Sequence, residues 1–129
     1  MAKRPHYRPY FDELSAAERR AVRDGVASIP SGFERISFDR WMNIARAVAP
    51  LVRLAARPGM SRDARATFLQ ENGYGGLDPA TVRRLVVLAE HEDEIRDWRK
   101  TLTPSQREAW SSPASVYNRC PALVALRLG

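Results

Sequence analysis

Three dipeptides constrain this chain more than any other feature: Asp78-Pro79, Thr103-Pro104 and Ser112-Pro113 each set a good N-capping side chain directly before a proline. The capping oxygen accepts a hydrogen bond from an otherwise orphaned helix amide. Proline at the next position has its backbone angle preset for a helix and lacks only an N–H that would find no partner there. Each dipeptide therefore predicts a helix start, and together they commit the C-terminal half of the chain to short helices.

Hydrophobic spacing extends that reading. Ser15-Ala16-Ala17-Glu18 has the capping-box spacing, and Leu14, Ala17, Ala21, Val22 and Val26 keep to one side of the helix that follows, until Ser28, Pro30 and Gly32 break it. From Ser37 a longer helix is predicted by Phe38, Trp41, Ile44, Ala45, Val48, Val52 and Ala55, which recur every three or four residues. Pro50 removes one internal hydrogen bond and predicts a kink or break near Arg46, and Pro58-Gly59 predicts the end. Ser61 caps a third helix through about Asn72, with Ala64, Phe68 and Leu69 inward. After Asp78 the apolar positions are Val82, Leu85, Val86 and Ala89. The acidic stretch His91 to Glu94 ends that helix or turns its face, and Ile95, Trp98 and Leu102 resume the period. Helices from Thr103 to about Trp110 and from Ser112 to about Cys120 follow, with Pro121 read as a stop. No segment alternates with period two. The expectation is an all-α single compact domain of five to seven short helices over residues 12–129, preceded by a flexible basic arm, residues 1–11. Its core is expected to contain Trp41, Ile44, Val48, Phe68, Leu85, Val86, Ile95 and Trp98.

A chain of 129 residues with a hydrophobic fraction of 44% buries one core without staples. Cys120 is the only cysteine, so an intrachain disulfide is impossible; the thiol is expected to act as a small buried hydrophobe in a reducing compartment. The N-terminus lacks the apolar stretch of a secretory signal and no run elsewhere is long enough to span a bilayer. A cytoplasmic location away from membranes is expected.

Enzyme chemistry finds little footing. The two histidines, His6 and His91, have no metal-ligand partner at a useful spacing, and no phosphate-cradling loop precedes a lysine. Gly73-Tyr74-Gly75-Gly76 lies between two helices and reads as a helix C-cap with a turn. Glu90, Glu92, Asp93 and Glu94 are consecutive enough to point in different directions, which suits a solvated face or pairing with Arg96 and Arg99 better than a cation site. No catalytic residue, cofactor or metal is expected.

Charge points elsewhere. Of the 21 basic residues 19 are arginines, and the net charge is +6. Arginine carries a rigid fork of donors matched to phosphate and carboxylate oxygens, so the bias indicates an anionic partner. Residues 1–10 hold three positive charges and no negative ones, and residues 31–70 hold seven against three. That is the electrostatic footprint of a nucleic-acid binder, and it also suits an acidic protein surface. The candidate DNA contacts are Lys3, Arg4 and Arg8 in the arm, and Arg40, Arg46 and Arg53 on the outer face of the long helix. Two segments have helix-turn-helix character: residues 61–72 with 78–90, where Arg83 and Arg84 near the second helix start would meet base edges and Thr81 a phosphate, and residues 103–110 with 112–120, where Ser115, Asn118 and Arg119 would serve. Trp41, Trp98 and Trp110 can be read as stacking platforms, but Trp41 and Trp98 fall on apolar stripes and read as core. Tyr7 and Tyr10 make the arm suited to minor-groove insertion.

The stretch Glu94-Ile95-Arg96-Asp97-Trp98-Arg99-Lys100-Thr101-Leu102, continued by Gln106-Arg107 and Pro113-Ala114-Ser115-Val116, resembles the C-terminal part of a family of small helical proteins of alphaproteobacterial genomes, plasmids and prophages. Phe38-Asp39-Arg40-Trp41 looks like the start of that family's core helix, so the likeness covers about residues 36–120. Members commonly carry a basic residue or Asn-His before the proline at 113, where this chain has Ser111-Ser112. The resemblance implies no activity, but it implies a mobile-element setting, in which small basic helical proteins serve as DNA-binding regulators or as inhibitors of host systems. The expected function is thus non-enzymatic DNA binding. The alternative is a protein-binding module, docking through residues 90–97 or the Arg40, Arg46 and Arg53 face, as an adaptor or as an inhibitor of a defence system; a homodimer is compatible with either.

If the arm contributes phosphate contacts, deleting residues 1–10 lowers the slope of log affinity against log salt for duplex DNA by roughly 2 to 3 units. Fluorescence anisotropy across a salt series measures it, and an unchanged slope and affinity would make the arm a tail.

Overall fold

A computed structural model describes residues 12–30, 35–56, 58–59 and 61–128. The described residues form eight helices and no strand: α1 (Ala16–Ser28), α2 (Phe38–Ala55), α3 (Arg62–Glu71), α4 (Pro79–Glu90), α5 (Glu92–Lys100), α6 (Pro104–Ala109), α7 (Pro113–Arg119) and α8 (Pro121–Leu128). The all-α expectation holds, with one helix more than the five to seven expected. The additional one is α8. Pro121 does not stop the chain but occupies the first position of a new helix, the place where a proline's missing N–H costs nothing, and Cys120 is the extended junction.

Helix starts follow the capping chemistry. Ser15 and Glu18 form the expected reciprocal box, Ser37, Ser61 and Ser112 each accept from the amide three residues on, and Thr103 forms a second box with Gln106. Asp78 takes the extended N-cap backbone without a side-chain capping bond, so proline alone marks the start of α4. α3 ends in a Schellman motif: the Gly73 N–H donates to the Gln70 carbonyl at 3.0 Å and the Tyr74 N–H to the Leu69 carbonyl at 2.9 Å. Gly73 sits at φ 93°, a left-handed conformation that costs glycine little. The glycine-rich turn is the C-cap its composition suggests.

α2 is the hub on which α1, α3 and α4 pack, while α4 in turn carries α7, and α7 carries α8. It runs without a break through Pro50, which is buried inside the helix; packing from three neighbours supports the turn whose backbone bond the proline removes. The hydrophobic face of α2 is wide enough to serve all three, with Met42, Ile44, Ala45, Ala47, Val48 and Leu51 fully buried. Of the expected core, Ile44, Val48, Phe68, Leu85 and Ile95 are fully buried, whereas Trp41, Val86 and Trp98 are half-buried at its edge. Cys120 is a free, buried thiol.

The closest contact in the core is polar. The Tyr74 hydroxyl, carried by the turn after α3, donates to the Val22 carbonyl of α1 at 2.5 Å. Gly25 makes room for it: a Cβ there would lie 2.5 Å from the Tyr74 oxygen and 2.6 Å from the Ala47 Cβ of α2. α1, α2 and the α3 turn thus meet at one point where only a residue without a side chain fits. Gly25→Ala should destabilise the fold by about 1 to 3 kcal/mol through overpacking, and Tyr74→Phe by about 1 kcal/mol through the lost hydrogen bond. Because the phenyl variant removes one of the two clashing atoms, urea unfolding of the double variant should show a smaller loss than the sum of the single ones. Burial, and then the charge of Asp24, push the Tyr74 phenol above the ordinary tyrosine value of 10.0. The folded chain therefore holds that proton more tightly than the unfolded chain, so stability is full below pH 10 and falls as pH rises beyond it; Tyr74→Phe should flatten this alkaline limb.

Candidate functional site

Three interactions, two tying α1 to α2 and one tying α2 to α5, engage arginines that the sequence places on an outer face. Arg40 donates to the Ser28 carbonyl at 3.1 Å, satisfying the C-terminus of α1. Arg53, near the other end of α2, pairs with Glu18 at 2.8 Å, and Ser15 and Arg53 hold that carboxyl below the usual carboxylate range. The two helices are therefore antiparallel, clamped at both ends. Arg46 forms a side-on fork with Glu92 at the start of α5, through Nε to Oε1 at 2.9 Å and Nη2 to Oε2.

Glu92 is the centre of a wider network. Arg96, one turn further along α5, reaches the same carboxylate at 2.7 Å and extends to Asp39 at 3.1 Å. Hydrogen bonding from Arg46, and then from Arg96, holds Glu92 below the usual carboxylate range despite its partial burial. The alternation Arg46, Glu92, Arg96, Asp39 fastens α5 along the first half of α2.

Beyond this network α5 opens onto a cleft of about 940 Å³. One wall is the entry to α2, with Arg35, Ile36, Ser37, Phe38, Asp39 and Trp41; the others are the outer half of α5 with Arg96, Arg99 and Lys100, and α6 with the following turn, with Arg107, Glu108, Ala109, Ser111 and Ser112, together with Ser115. Five cationic side chains face two carboxylates, Asp39 and Glu108, and Asp39 already pairs with Arg96. Arg99 is the most firmly held cation. Its guanidinium lies 4.1 Å above the Phe38 ring and donates to the carbonyls of Trp110 and Arg107 at 2.7 and 2.9 Å. Burial pushes its pKa down, yet an arginine remains charged at neutral pH. Arg35 and Arg107 are exposed and make no ion pair among the described residues, while Lys100 has only the solvent-exposed Asp97 at 3.3 Å. Ser111, Ser112 and Ser115 add hydroxyls, the last two sharing a hydrogen bond at 2.7 Å.

A second aromatic and basic group lies behind the α6 wall. Trp98 and Trp110 stack in parallel, 2° apart with centroids at 6.2 Å, and Arg119 covers Trp110 at 4.6 Å. Tyr117 lies beneath Arg127 at 4.3 Å and Arg84 at 5.9 Å, and Asn118 accepts from Arg127 at 3.3 Å. Trp98 thus serves a surface stack more than the core.

Of the residues the sequence marks for DNA contact, Lys3, Arg4 and Arg8 lie outside the described residues, as do Tyr7, Tyr10 and His6. Arg40, Arg46 and Arg53 are engaged within the fold. Arg84 and Arg119 lie over aromatic rings, Asn118 beside Arg127, and Arg83 alone of the α4 pair is exposed without an ion pair among the described residues. In both helix-turn-helix candidates the helices make little contact with each other: α3 and α4 each pack on α2, and α7 packs on α4 and α8. The cleft itself was not legible as a unit, because its walls come from three separate segments of the chain. Among the described residues no helix is long and apolar enough to cross a membrane and no group of three His, Cys, Asp or Glu side chains is placed to hold a metal ion. Comparison of the chain with protein-family models, curated proteins and solved structures finds no match.

The charge network yields its own test. A carboxyl depressed in the folded state contributes stability above its ordinary pKa of 4.5, and that contribution is lost as pH falls through the folded value. Glu92→Gln should cost about 1 kcal/mol at neutral pH, a modest figure because Arg46 and Arg96 are partly solvated, and the difference from the parent should narrow at acid pH, below the ordinary carboxylate value. Urea unfolding at both pH values measures it.

Proposed function

We propose that this protein is a non-enzymatic DNA-binding protein of the cytoplasm, of the kind that mobile elements use as regulators, and that the cleft between α2, α5 and α6 holds the phosphate backbone. The observation that carries the reading is the imbalance within that cleft: with the Arg96–Asp39 pair set aside, four cations face one carboxylate, Glu108. Arg99 is a preorganised donor, its planar fork fixed by two carbonyls and a ring, so little side-chain freedom is lost when an anion arrives. Arg35, Lys100 and Arg107 supply charge at the rim. The shared hydrogen bond of Ser112 and Ser115 uses one of their two hydroxyl protons and leaves one neutral donor of the kind that accompanies arginine at phosphates, the Ser111 hydroxyl being bound to the Arg107 and Glu108 carbonyls. Arg46 contributes to this reading indirectly, by holding α5 against α2, while Arg40 and Arg53 hold α1 on α2 away from the cleft.

A protein-binding role, as an adaptor or an inhibitor of a host protein, is the second reading. It is favoured by α8, which turns Leu126 and Leu128 outward, 55% and 83% exposed.

Replacing Arg35, Lys100 and Arg107 together by glutamine should lower the salt slope for nucleic acid by roughly 2 to 3 units, since each neutralised phosphate contributes about 0.7 to 0.9. Arg83→Gln, which changes an exposed charge outside the cleft, is the control and should have a smaller effect. Equal effects per charge would reduce the cleft to a share of a diffuse field. Absence of binding to any nucleic acid at low salt would favour the protein partner.

A further inference from the structure

We infer that the strand this cleft takes is single, held by its phosphates on the arginine-rich walls and by a base stacked on Trp41. The inference rests on the nucleic-acid reading above and deepens it. Duplex readers present a protruding helix or ribbon to a groove about 12 Å wide. Here Arg96 and Arg99 line a recess of about 940 Å³ with Arg35, Lys100 and Arg107 at its rim, a concave arrangement suited to a separated strand rather than to the groove of a duplex. The two segments with helix-turn-helix character present no packed pair of helices to a groove, since α3 and α4 are each braced on α2 instead.

The chemistry of the walls agrees with that shape. Single-strand sites combine a positively charged groove with an aromatic face on which a base stacks, and Trp41 is the half-buried tryptophan that lines the cleft. The neighbouring Phe38 ring is closed to bases, because Arg99 and Arg96 lie over it at 4.1 and 5.3 Å. Trp98 and Trp110 are occupied with each other, and Arg119 covers Trp110. Among the described residues Trp41 is therefore the ring lining the cleft with neither an aromatic nor a guanidinium stacked on it, one helical turn from the Ser37 cap and on the same wall as Arg35. Its position at the edge of the core explains why an apolar periodicity includes a residue that the fold does not bury.

The experiment compares four labelled probes of equal length on the unaltered protein by fluorescence anisotropy over a salt series: single-stranded mixed-sequence DNA, single-stranded RNA, the corresponding duplex, and an abasic deoxyribose-phosphate strand. The single strands should bind at least about tenfold tighter than the duplex, with a salt slope near 0.7 per phosphate contact. The abasic strand, which keeps every phosphate, should bind about 5- to 100-fold more weakly than the normal strand, the effect of one lost stacking contact. Trp41→Leu should bring the normal strand down to the abasic level, and Trp41→Tyr should restore most of the difference; circular dichroism confirms the fold of each variant. A duplex that binds as tightly as the single strand, or an abasic strand that binds as tightly as the normal one, overturns the inference while leaving phosphate recognition by the cleft in place. If no probe binds and a polyglutamate peptide does, the nucleic-acid reading falls with it.

Discussion

The close packing of α1, α2 and the turn after α3 is set by one crowded contact, and at its centre is a hydrogen bond. The Tyr74 hydroxyl reaches the Val22 carbonyl across a gap that exists only because Gly25 has no side chain. A glycine inside a helix costs roughly 1 kcal/mol relative to alanine, so α1 carries a local penalty that the tertiary structure offsets. What it gains is close approach to α2 at Ala47 and a seat for a large aromatic ring that is almost wholly buried. The ring also fixes the turn after α3, whose Schellman cap through Gly73 turns the chain so that Tyr74 points back toward α1. Backbone conformation, helix packing and a buried polar group are thereby satisfied at the same position, and none of the three can be altered alone.

The electrostatics of the molecule divide along similar lines. Arginines on the long helix do structural work: Arg40 terminates α1, Arg53 clamps its beginning, and Arg46 shares Glu92 with Arg96. None of these pairs is deeply buried, so each contributes little by itself. The network of Arg46, Glu92, Arg96 and Asp39 sets the position of α5 along α2, and that position creates the cleft. The acidic stretch after α4 is accordingly not a free patch, since Glu92 is committed to two arginines and Glu94 meets His91 at 3.0 Å.

Much of the architecture was legible because it is written in local chemistry. The N-cap and proline pairs located the starts of α4, α6 and α7, and helical periodicity identified α2 and the inward positions of α3 and α4. What was not legible depends on distant partners. Nothing near Tyr74 in the sequence announces a bond to residue 22, and its glycine-rich surroundings suggest only a turn. Periodicity also cannot rank burial within a stripe. Trp41 and Trp98 occupy the same kind of position as Ile44 and Ile95, yet they lie at the margin of the core, only partly buried. The arginines behave similarly: a charge that faces outward on an isolated helix acquires a partner when another helix arrives. Pro121 misled for a different reason, because a proline that ends one helix is equally fit to begin the next.

Arg99 shows how the two uses of charge meet. It is bound by the Trp110 and Arg107 carbonyls, where α6 ends and its orphan acceptors need donors, and in satisfying them it fastens α6 to α5. The same bonds hold its guanidinium flat on Phe38, facing the cleft, with two of its five N–H donors engaged. A flexible arginine at this site would lose rotamer freedom on meeting an anion; this one has lost it on folding. Structural demand at the end of a short helix has therefore produced a rigid cation, and the less constrained Arg35 and Arg107 around it provide the adjustable part of the same surface.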